Sequence, residues 1–240
     1  EVWLQIKMEE NMSILANYLA QLIKAQLNGE KPVSVPEEIQ VEDLIHLSCK
    51  NHMEYLVMGA LLKTDGISEE IQGILRSHVM RSIVRTTTQI MDLKEIIRRF
   101  EEKKIVNQPM KGAQMKFIYP SPEMREMSDI DILIRHDCMD RAAEELKDMG
   151  YVLEQAIKHH DIYVKEPFMV VEAHRAMYDK TVDNNQYEYF SNFSVFVLPA
   201  RRYRLYPVLY FCQKVFYFWR NFMTTMLILY ADYNFRPKSS

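Results

Sequence analysis

The stretch Ser128-Asp129-Ile130-Asp131-Ile132-Leu133-Ile134 holds the pattern that decides the fold. Isoleucine occupies every second position, which is the alternation of a β-strand with one apolar face. Asp129 and Asp131 are two residues apart, so a strand projects both carboxylates from its other face. Their oxygens are the ligands that hard divalent cations such as Mg²⁺ prefer. The alternative is an exposed edge strand with solvated aspartates, because Asp-x-Asp is a common pattern.

A second acidic strand is predicted downstream. Glu172 is the single acidic residue in a β-branched, apolar run that spans residues 169–173. A carboxylate within an apolar strand is rare unless it is paired or binds a metal. If this strand neighbours the one that carries Asp129 and Asp131, three carboxylates converge, and a metal site formed by Asp129, Asp131 and Glu172 is the resulting hypothesis.

The segment Pro109-Met110-Lys111-Gly112 lies where an extended stretch turns into a predicted helix. Gly112 permits close approach of the backbone, and a helix N-terminus offers N–H groups to a phosphate. Lys111 adds positive charge there. Arg125 can meet phosphate in a bidentate manner, although a solvated surface arginine is an equal alternative. These three residues are predicted to bind the phosphates of a nucleotide.

Histidines accompany the second acidic strand. His174 is two residues from Glu172, so it shares that strand face and can hold a phosphate or orient Glu172; a structural histidine is the alternative. The neighbouring pair His159-His160 would point to opposite sides of a strand and cannot bind one metal together. A substrate contact is possible for them, but we predict surface positions.

This ordered set resembles the polymerase-beta-like nucleotidyltransferase superfamily, and more closely an uncharacterised bacterial nucleotidyltransferase family. The motifs that carry the resemblance are Lys111-Gly112, Tyr119-Pro120, the stretch from Arg125 to Leu133, Gly150-Tyr151, His159-His160-Asp161 and Val171-Glu172-Ala173-His174. One departure concerns Ala113, because the superfamily favours serine or glycine at that place. A serine hydroxyl for the phosphate is therefore missing, which leaves backbone N–H groups and Lys111.

The resemblance implies transfer of a nucleoside monophosphate from an NTP, expected to be ATP, to an acceptor hydroxyl, with release of pyrophosphate. It implies two Mg²⁺ ions as the cofactor, with Mn²⁺ as an alternative, held by catalytic Asp129 and Asp131, with Glu172 completing the site of the second ion. The residues implied to bind the nucleotide are Lys111, Gly112, Arg125 and His174. The acceptor, a small molecule or a protein, stays open: an antibiotic, a sugar phosphate, a protein side chain and a tRNA end are all compatible. A rival hypothesis is a nucleotide-binding or regulatory relative that has lost turnover.

The predicted fold class is α+β. Only 6 of 240 residues are glycine, which disfavours an all-β fold with its many tight turns. Apolar residues recur at helical spacing through most of the first hundred residues. We predict a helical N-terminal domain over residues 1–104, a nucleotidyltransferase core with a small mixed sheet flanked by helices over 105–200, and a helical C-terminal segment over 201–240.

Individual elements follow from periodicity and turn residues. The predicted helices are Val2–Leu27, Leu44–Cys49, Tyr55–Leu62, Ser68–Lys104, Lys111–Tyr119 and Met139–Met149. The predicted strands are Ile105–Pro109, Asp129–Ile134, Tyr151–Leu153, Asp161–Lys165 and Phe168–Ala173, with the last two joined in a hairpin at Glu166-Pro167.

Composition limits the partners and the compartment. The net charge of −3 provides no basic field for nucleic acid, so a long nucleic acid is the least favoured acceptor. Cys49, Cys138 and Cys212 are few and far apart, which predicts neither a disulfide framework nor a structural zinc site and favours a reducing cytoplasm. Charged residues interrupt the aromatic-rich stretch from 206 to 233, so a buried or partner-bound helix pair is predicted in preference to a membrane span. Membrane association through that stretch remains the rival.

Overall fold

The computed structural model describes residues 2–176, with side chains from Ile14 onward except that of Lys111. The helical segment predicted over 201–240, and the last part of the predicted core from residue 177, lie outside the described residues. In the described part of the chain, every helix is too short or too polar to cross a membrane. The chain divides into two compact units between Met80 and Arg81, inside a long helix.

The unit that ends at Met80 is helical where it is described. Its helices are α1 (Val2–Asn28), α2 (Val41–Lys50), α3 (Glu54–Leu61) and the first part of α4 (Glu69–Glu102). Gly29 ends α1 with a positive φ of 71°, as glycine does after a helix. The Ser68 hydroxyl accepts a hydrogen bond from the Ile71 N–H at 3.4 Å and caps α4. A core of buried apolar side chains joins the helices: Tyr18, Leu22, Leu44, Val57, Met58, Leu61 and Leu75.

The unit that starts at Arg81 contains a five-stranded mixed sheet beside the rest of α4. Its further elements are β1 (Asn107–Pro109), α5 (Lys111–Met115), β2 (Ile130–Ile134), α6 (Met139–Asp148), β3 (Val152–Ala156), β4 (His160–Lys165) and β5 (Met169–His174). The strand order is β1-β2-β5-β4-β3. Only β2 and β5 run parallel; the other neighbours are antiparallel. The predicted α+β class and mixed sheet are confirmed.

The register of the sheet follows from two pairings. Asp131 lies opposite Glu172 in the parallel pair of β2 and β5. In the antiparallel pair of β4 and β5, His160 lies opposite His174 and Lys165 opposite Met169, which confirms the predicted hairpin. Its turn contains a cis peptide bond between Glu166 and Pro167.

The core of this unit is apolar and includes residues of α4, α6 and the sheet: Leu93, Ile96, Phe100, Ile130, Ile132, Ala142, Leu146, Tyr163 and Val171. A polar contact adds to it, because Tyr151 and Lys165 both donate hydrogen bonds to the Asp92 carboxylate, at 2.8 and 2.7 Å. The second half of α4 thus packs with the sheet.

Several predicted elements have other bounds in the structure. The predicted helix Lys111–Tyr119 stops at Met115 and continues only as a 3-10 turn over Lys116–Ile118. Tyr119 is extended, with ψ at 156°, because the proline that follows disfavours helical backbone before it. The strand predicted at Tyr151–Leu153 begins one residue later and runs to Ala156.

Candidate functional site

The three predicted carboxylates meet on one face of the sheet. Asp129, Asp131 and Glu172 each offer a carboxylate oxygen, and these oxygens lie within 4.8 Å of one another. The parallel register places Asp131 beside Glu172, and Asp129 precedes β2 on the same side. Asp131 is buried, with 4% of its surface exposed, while Asp129 and Glu172 are half-buried. Negative charge is therefore concentrated where water is scarce.

His174 contacts two of these carboxylates. Its Nε2 lies 2.9 Å from Oδ1 of Asp131 and 3.1 Å from Oε2 of Glu172. His174 is itself buried, and its Nδ1 has no hydrogen-bond partner among the residues that the structure describes. The Nε2 proton can thus be shared between side chains on two neighbouring strands. His174 was predicted either to hold a phosphate or to orient Glu172. Its contacts with Asp131 and Glu172 favour the second role.

His160 approaches the same face from β4. Its Nε2 is 4.0 Å from Oε2 of Glu172, and its ring centroid is 4.9 Å from that of His174. His160, Glu172 and His174 form a second possible metal-binding group, which shares Glu172 with the first. Because the His160 side chain is only 12% exposed, the predicted surface position is wrong for it. His159 is half-buried, with its ring 4.3 Å from that of His160.

A signal for His160 was present in the sequence. Counting outward from the predicted hairpin turn places His160 opposite His174 and residue 162 opposite Glu172, as the structure has them. Directly opposed residues on antiparallel strands point to the same face. Alternation along the strand of His159-His160 alone does not reveal this pairing.

The predicted phosphate turn lies against β2. The Met110 N–H donates to the Asp131 carbonyl oxygen at 2.9 Å, which places the start of α5 next to the backbone of β2 at Asp131. Lys111 is the first residue of α5. Gly112 is buried, and a Cβ built on it would lie 3.2 Å from Cβ of Met127, so close packing also favours glycine here. Arg125 donates to the Glu126 carbonyl oxygen at 3.0 Å, and this bond sets its side chain within its own loop.

Sequence reasoning missed Lys116, which is fully buried. Its Nζ lies 3.3 Å from Oγ1 of Thr86 on α4. Burial is the main cause that lowers the pKa of Lys116 to about 8, and Arg125 and Arg85 lower it further while Glu126 and Glu123 raise it. No pattern in the sequence indicates this burial, because lysine is rarely buried.

A sheet that concentrates carboxylates beside a helix start defines a candidate site for phosphoryl chemistry assisted by divalent cations. A family model described as an uncharacterised nucleotidyltransferase matches residues 37–204, well over half of the chain. The chain therefore belongs to this nucleotidyltransferase family, and all the predicted site residues lie within the matched range. No curated protein and no solved structure matches the chain. Bacterial origin stays a prediction.

Proposed function

We propose that the protein is a metal-dependent nucleotidyltransferase that moves a nucleoside monophosphate from an NTP, expected to be ATP, to an acceptor hydroxyl and releases pyrophosphate. The observation that carries the proposal is the convergence of Asp129, Asp131 and Glu172 in a chain of this family. The acceptor is a small molecule or a protein. A long nucleic acid is disfavoured by the net charge of −3.

The donor set fits the divalent cation that this chemistry requires. Three carboxylates contribute only oxygen atoms, which hard cations prefer, and Mg²⁺ binds them at about 2.0–2.1 Å. Oxygens within 4.8 Å of one another are close enough for Asp129, Asp131 and Glu172 to share such ions. When bound, Mg²⁺ or Mn²⁺ supplies charge neutralisation of the triphosphate and a lowered pKa of the acceptor hydroxyl.

The protein's own side chains then have separate tasks. Asp129 and Asp131 hold the cations and fix where the α-phosphate lies relative to the acceptor. Glu172 completes the ligands of the second of the two cations and accepts the proton of the attacking hydroxyl. His174 is a positioning residue, because its Nε2 lies within hydrogen-bond distance of both Asp131 and Glu172. A supporting contact of this kind limits the rotamers of the carboxylates.

The start of α5 binds the phosphates in this proposal. Lys111 and the backbone at Gly112 follow Met110, whose N–H is bonded to the Asp131 carbonyl, so this turn begins next to the strand that carries Asp131. Arg125 adds a guanidinium from the loop before β2. Most of the rate enhancement comes from positioning and charge neutralisation, as is general for phosphoryl transfer.

The test is incubation with each α-labelled NTP, Mg²⁺ and a cell extract, followed by identification of the labelled product. We expect label from ATP in one acceptor class, together with pyrophosphate, and no label with Asp129→Asn. Labelling that is equal in the wild type and in Asp129→Asn would contradict the proposal.

A second function is favoured by one observation. Ala113 stands where the superfamily has serine or glycine, and it is buried, so no side-chain hydroxyl is offered to a phosphate at that place. A relative that binds nucleotide without turnover fits this departure. Tight binding of Mg²⁺ and ATP without pyrophosphate release in any extract would favour it.

A further inference from the structure

A second cluster of metal-ligating side chains lies in the helical unit that ends at Met80. Cys49 of α2, Glu54 of α3 and His78 of α4 each offer one ligand atom, all within 4.8 Å of one another. The His78 Nδ1 is 2.7 Å from Oε2 of Glu54 and 3.8 Å from Sγ of Cys49. All three residues are half-buried, and the exposed fractions of the His78 and Glu54 side chains are 18% and 19%.

A short connection between α2 and α3 brings two of these residues together. Cys49 is in the last turn of α2, and Glu54 is the first residue of α3. His52 adopts a positive φ of 53°, a left-handed conformation that commonly follows a helix end. The Met53 N–H donates to the Ser48 carbonyl oxygen at 2.9 Å, which closes the turn. The chain thereby reverses within three residues and returns Glu54 to the side of Cys49.

The spacing of the ligand atoms fits a tetrahedral ion. Zinc binds thiolate sulfur at about 2.3 Å and histidine nitrogen or carboxylate oxygen at about 2.0–2.2 Å, which at tetrahedral angles separates sulfur from nitrogen by about 3.6 Å and nitrogen from oxygen by about 3.4 Å. The observed separation of the His78 Nδ1 from sulfur, 3.8 Å, is close to the value for a shared ion. Its separation from the Glu54 oxygen, 2.7 Å, is that of a hydrogen bond, so this pair must move apart by about 0.7 Å to receive an ion.

We propose that Cys49, Glu54 and His78 form a zinc-binding site that joins α2, α3 and α4. A set of one sulfur, one nitrogen and one oxygen suits a borderline ion such as Zn²⁺, whereas Mg²⁺ does not take thiolate. This site is independent of nucleotidyl transfer, since none of its ligands belongs to the carboxylate site on the sheet. Three protein ligands leave a fourth position for water.

Binding changes the protonation of the ligands. The Cys49 thiol releases its proton to solvent and binds as thiolate, and His78 binds through Nδ1 with its proton on Nε2. The ion replaces the direct contact between His78 and Glu54 with two coordination bonds. Because three helices then share one ion, zinc stabilises the folded chain against unfolding.

The experiment uses Co²⁺ as a spectroscopic substitute for zinc with the reduced full chain, in excess Mg²⁺ to occupy the carboxylate site. We expect a thiolate-to-cobalt charge-transfer band in the near ultraviolet, displaced by stoichiometric Zn²⁺. Cys49→Ser abolishes the band. His78→Gln keeps the thiolate and weakens Co²⁺ binding by at least about tenfold, the smallest loss expected when a metal's surroundings are altered.

Two controls separate this site from others. Cys138→Ser removes a different buried thiol and should leave the band unchanged. Asp131→Asn alters the carboxylate site and should also leave the band unchanged. The zinc site and the proposed nucleotidyl transfer can therefore fail independently of each other. A band that persists in Cys49→Ser, or cobalt binding with no charge-transfer band in the folded wild type, would overturn the zinc site. Circular dichroism of each variant verifies the fold.

Discussion

Two places where the unit that starts at Arg81 buries charge are built differently. On the sheet, Asp131 and Glu172 face His174 at hydrogen-bond distance, so groups of complementary character occupy one patch. At Lys116 a single amine is fully buried against the Thr86 hydroxyl. A buried charge is costly unless it is paired or neutralised. The sheet cluster of Asp129, Asp131, Glu172 and His174 thus offers a place for a ligand, whereas burial of the Lys116 amine lowers the stability of the fold.

The difference predicts which substitutions affect activity and which affect the fold. Carboxylates in the sheet cluster should be expendable for folding and required for chemistry. Lys116 should be dispensable for stability and even unfavourable to it.

The largest effect is expected at the aspartates. Asp129→Asn and Asp131→Asn should each lower turnover by about 1,000-fold or more while the thermal midpoint of unfolding changes little, because the amide keeps the volume and removes the charge that holds cations. The measurement is pyrophosphate release once an acceptor is found. Asp137→Asn, on the exposed turn after β2, is the matched control and should retain full activity.

Lys116→Met should stabilise the fold near neutral pH. The pKa of Lys116 falls from 10.5 to about 8 on folding, so the folded state disfavours the charged amine by about 3 kcal/mol. That cost is present below pH 8, where both states are protonated. It disappears as pH rises toward 10.5, so the stability of the wild type should rise over this interval.

Urea unfolding at several pH values measures this effect. The difference in free energy of unfolding between Lys116→Met and the wild type should shrink between pH 8 and 10.5. Lys147→Met, at an exposed position of α6, should show no such dependence. A variant that is less stable than the wild type at pH 7 would mean that the Thr86 contact outweighs the cost of burial.

His174→Ala tests the pairing within the sheet cluster. Loss of a supporting contact to metal-binding carboxylates should weaken Mg²⁺ affinity and turnover by about 10- to 100-fold. His174→Asn should recover part of this loss, because its amide can still donate to a carboxylate. His136→Ala removes an exposed histidine and should change neither quantity. Unaltered metal affinity in His174→Ala would make this histidine purely structural.

The smallest effect is expected at Gly112→Ala. The new Cβ would lie 3.2 Å from the Met127 Cβ, so Met127 must shift by a few tenths of an ångström. Overpacking of this kind costs about 1 kcal/mol. Because Met127 precedes Asp129 by two residues, KM for NTP should rise with little loss of stability. Gly73→Ala, where a Cβ meets open space on α4, is the control for added volume.

The sequence predicted local structure well and long-range contacts less well. The alternation around Ile130 and Ile132 identified β2 and the shared face of its aspartates, because side-chain direction in a strand is fixed by the backbone. Gly29 and Gly150 marked helix ends, and both have positive φ. Local periodicity does not show which strands are neighbours. The sequence therefore predicted that Glu172 and Asp131 converge only if their strands pair, and the parallel pairing of β2 and β5 meets that condition.

The missed contacts are those made across the fold. The spacing of the cysteines could not indicate the cluster of Cys49, Glu54 and His78, because its three members lie on three different helices. Lys116 gave no sign of burial, because lysine is rarely buried and the helical stretch that carries it is short. Such contacts depend on tertiary packing and not on any local pattern.

The central claim is that the three carboxylates on the sheet hold a divalent cation. The most direct test is the thermal midpoint of unfolding of the wild type and of Asp131→Asn during titration with Mg²⁺, which requires no knowledge of the acceptor. A ligand that binds only the folded state raises its stability by about 2.7 kcal/mol at a concentration 100 times Kd. We predict a rise with Mg²⁺ in the wild type that is lost in Asp131→Asn. An equal rise in both proteins would place the cation elsewhere and contradict the account.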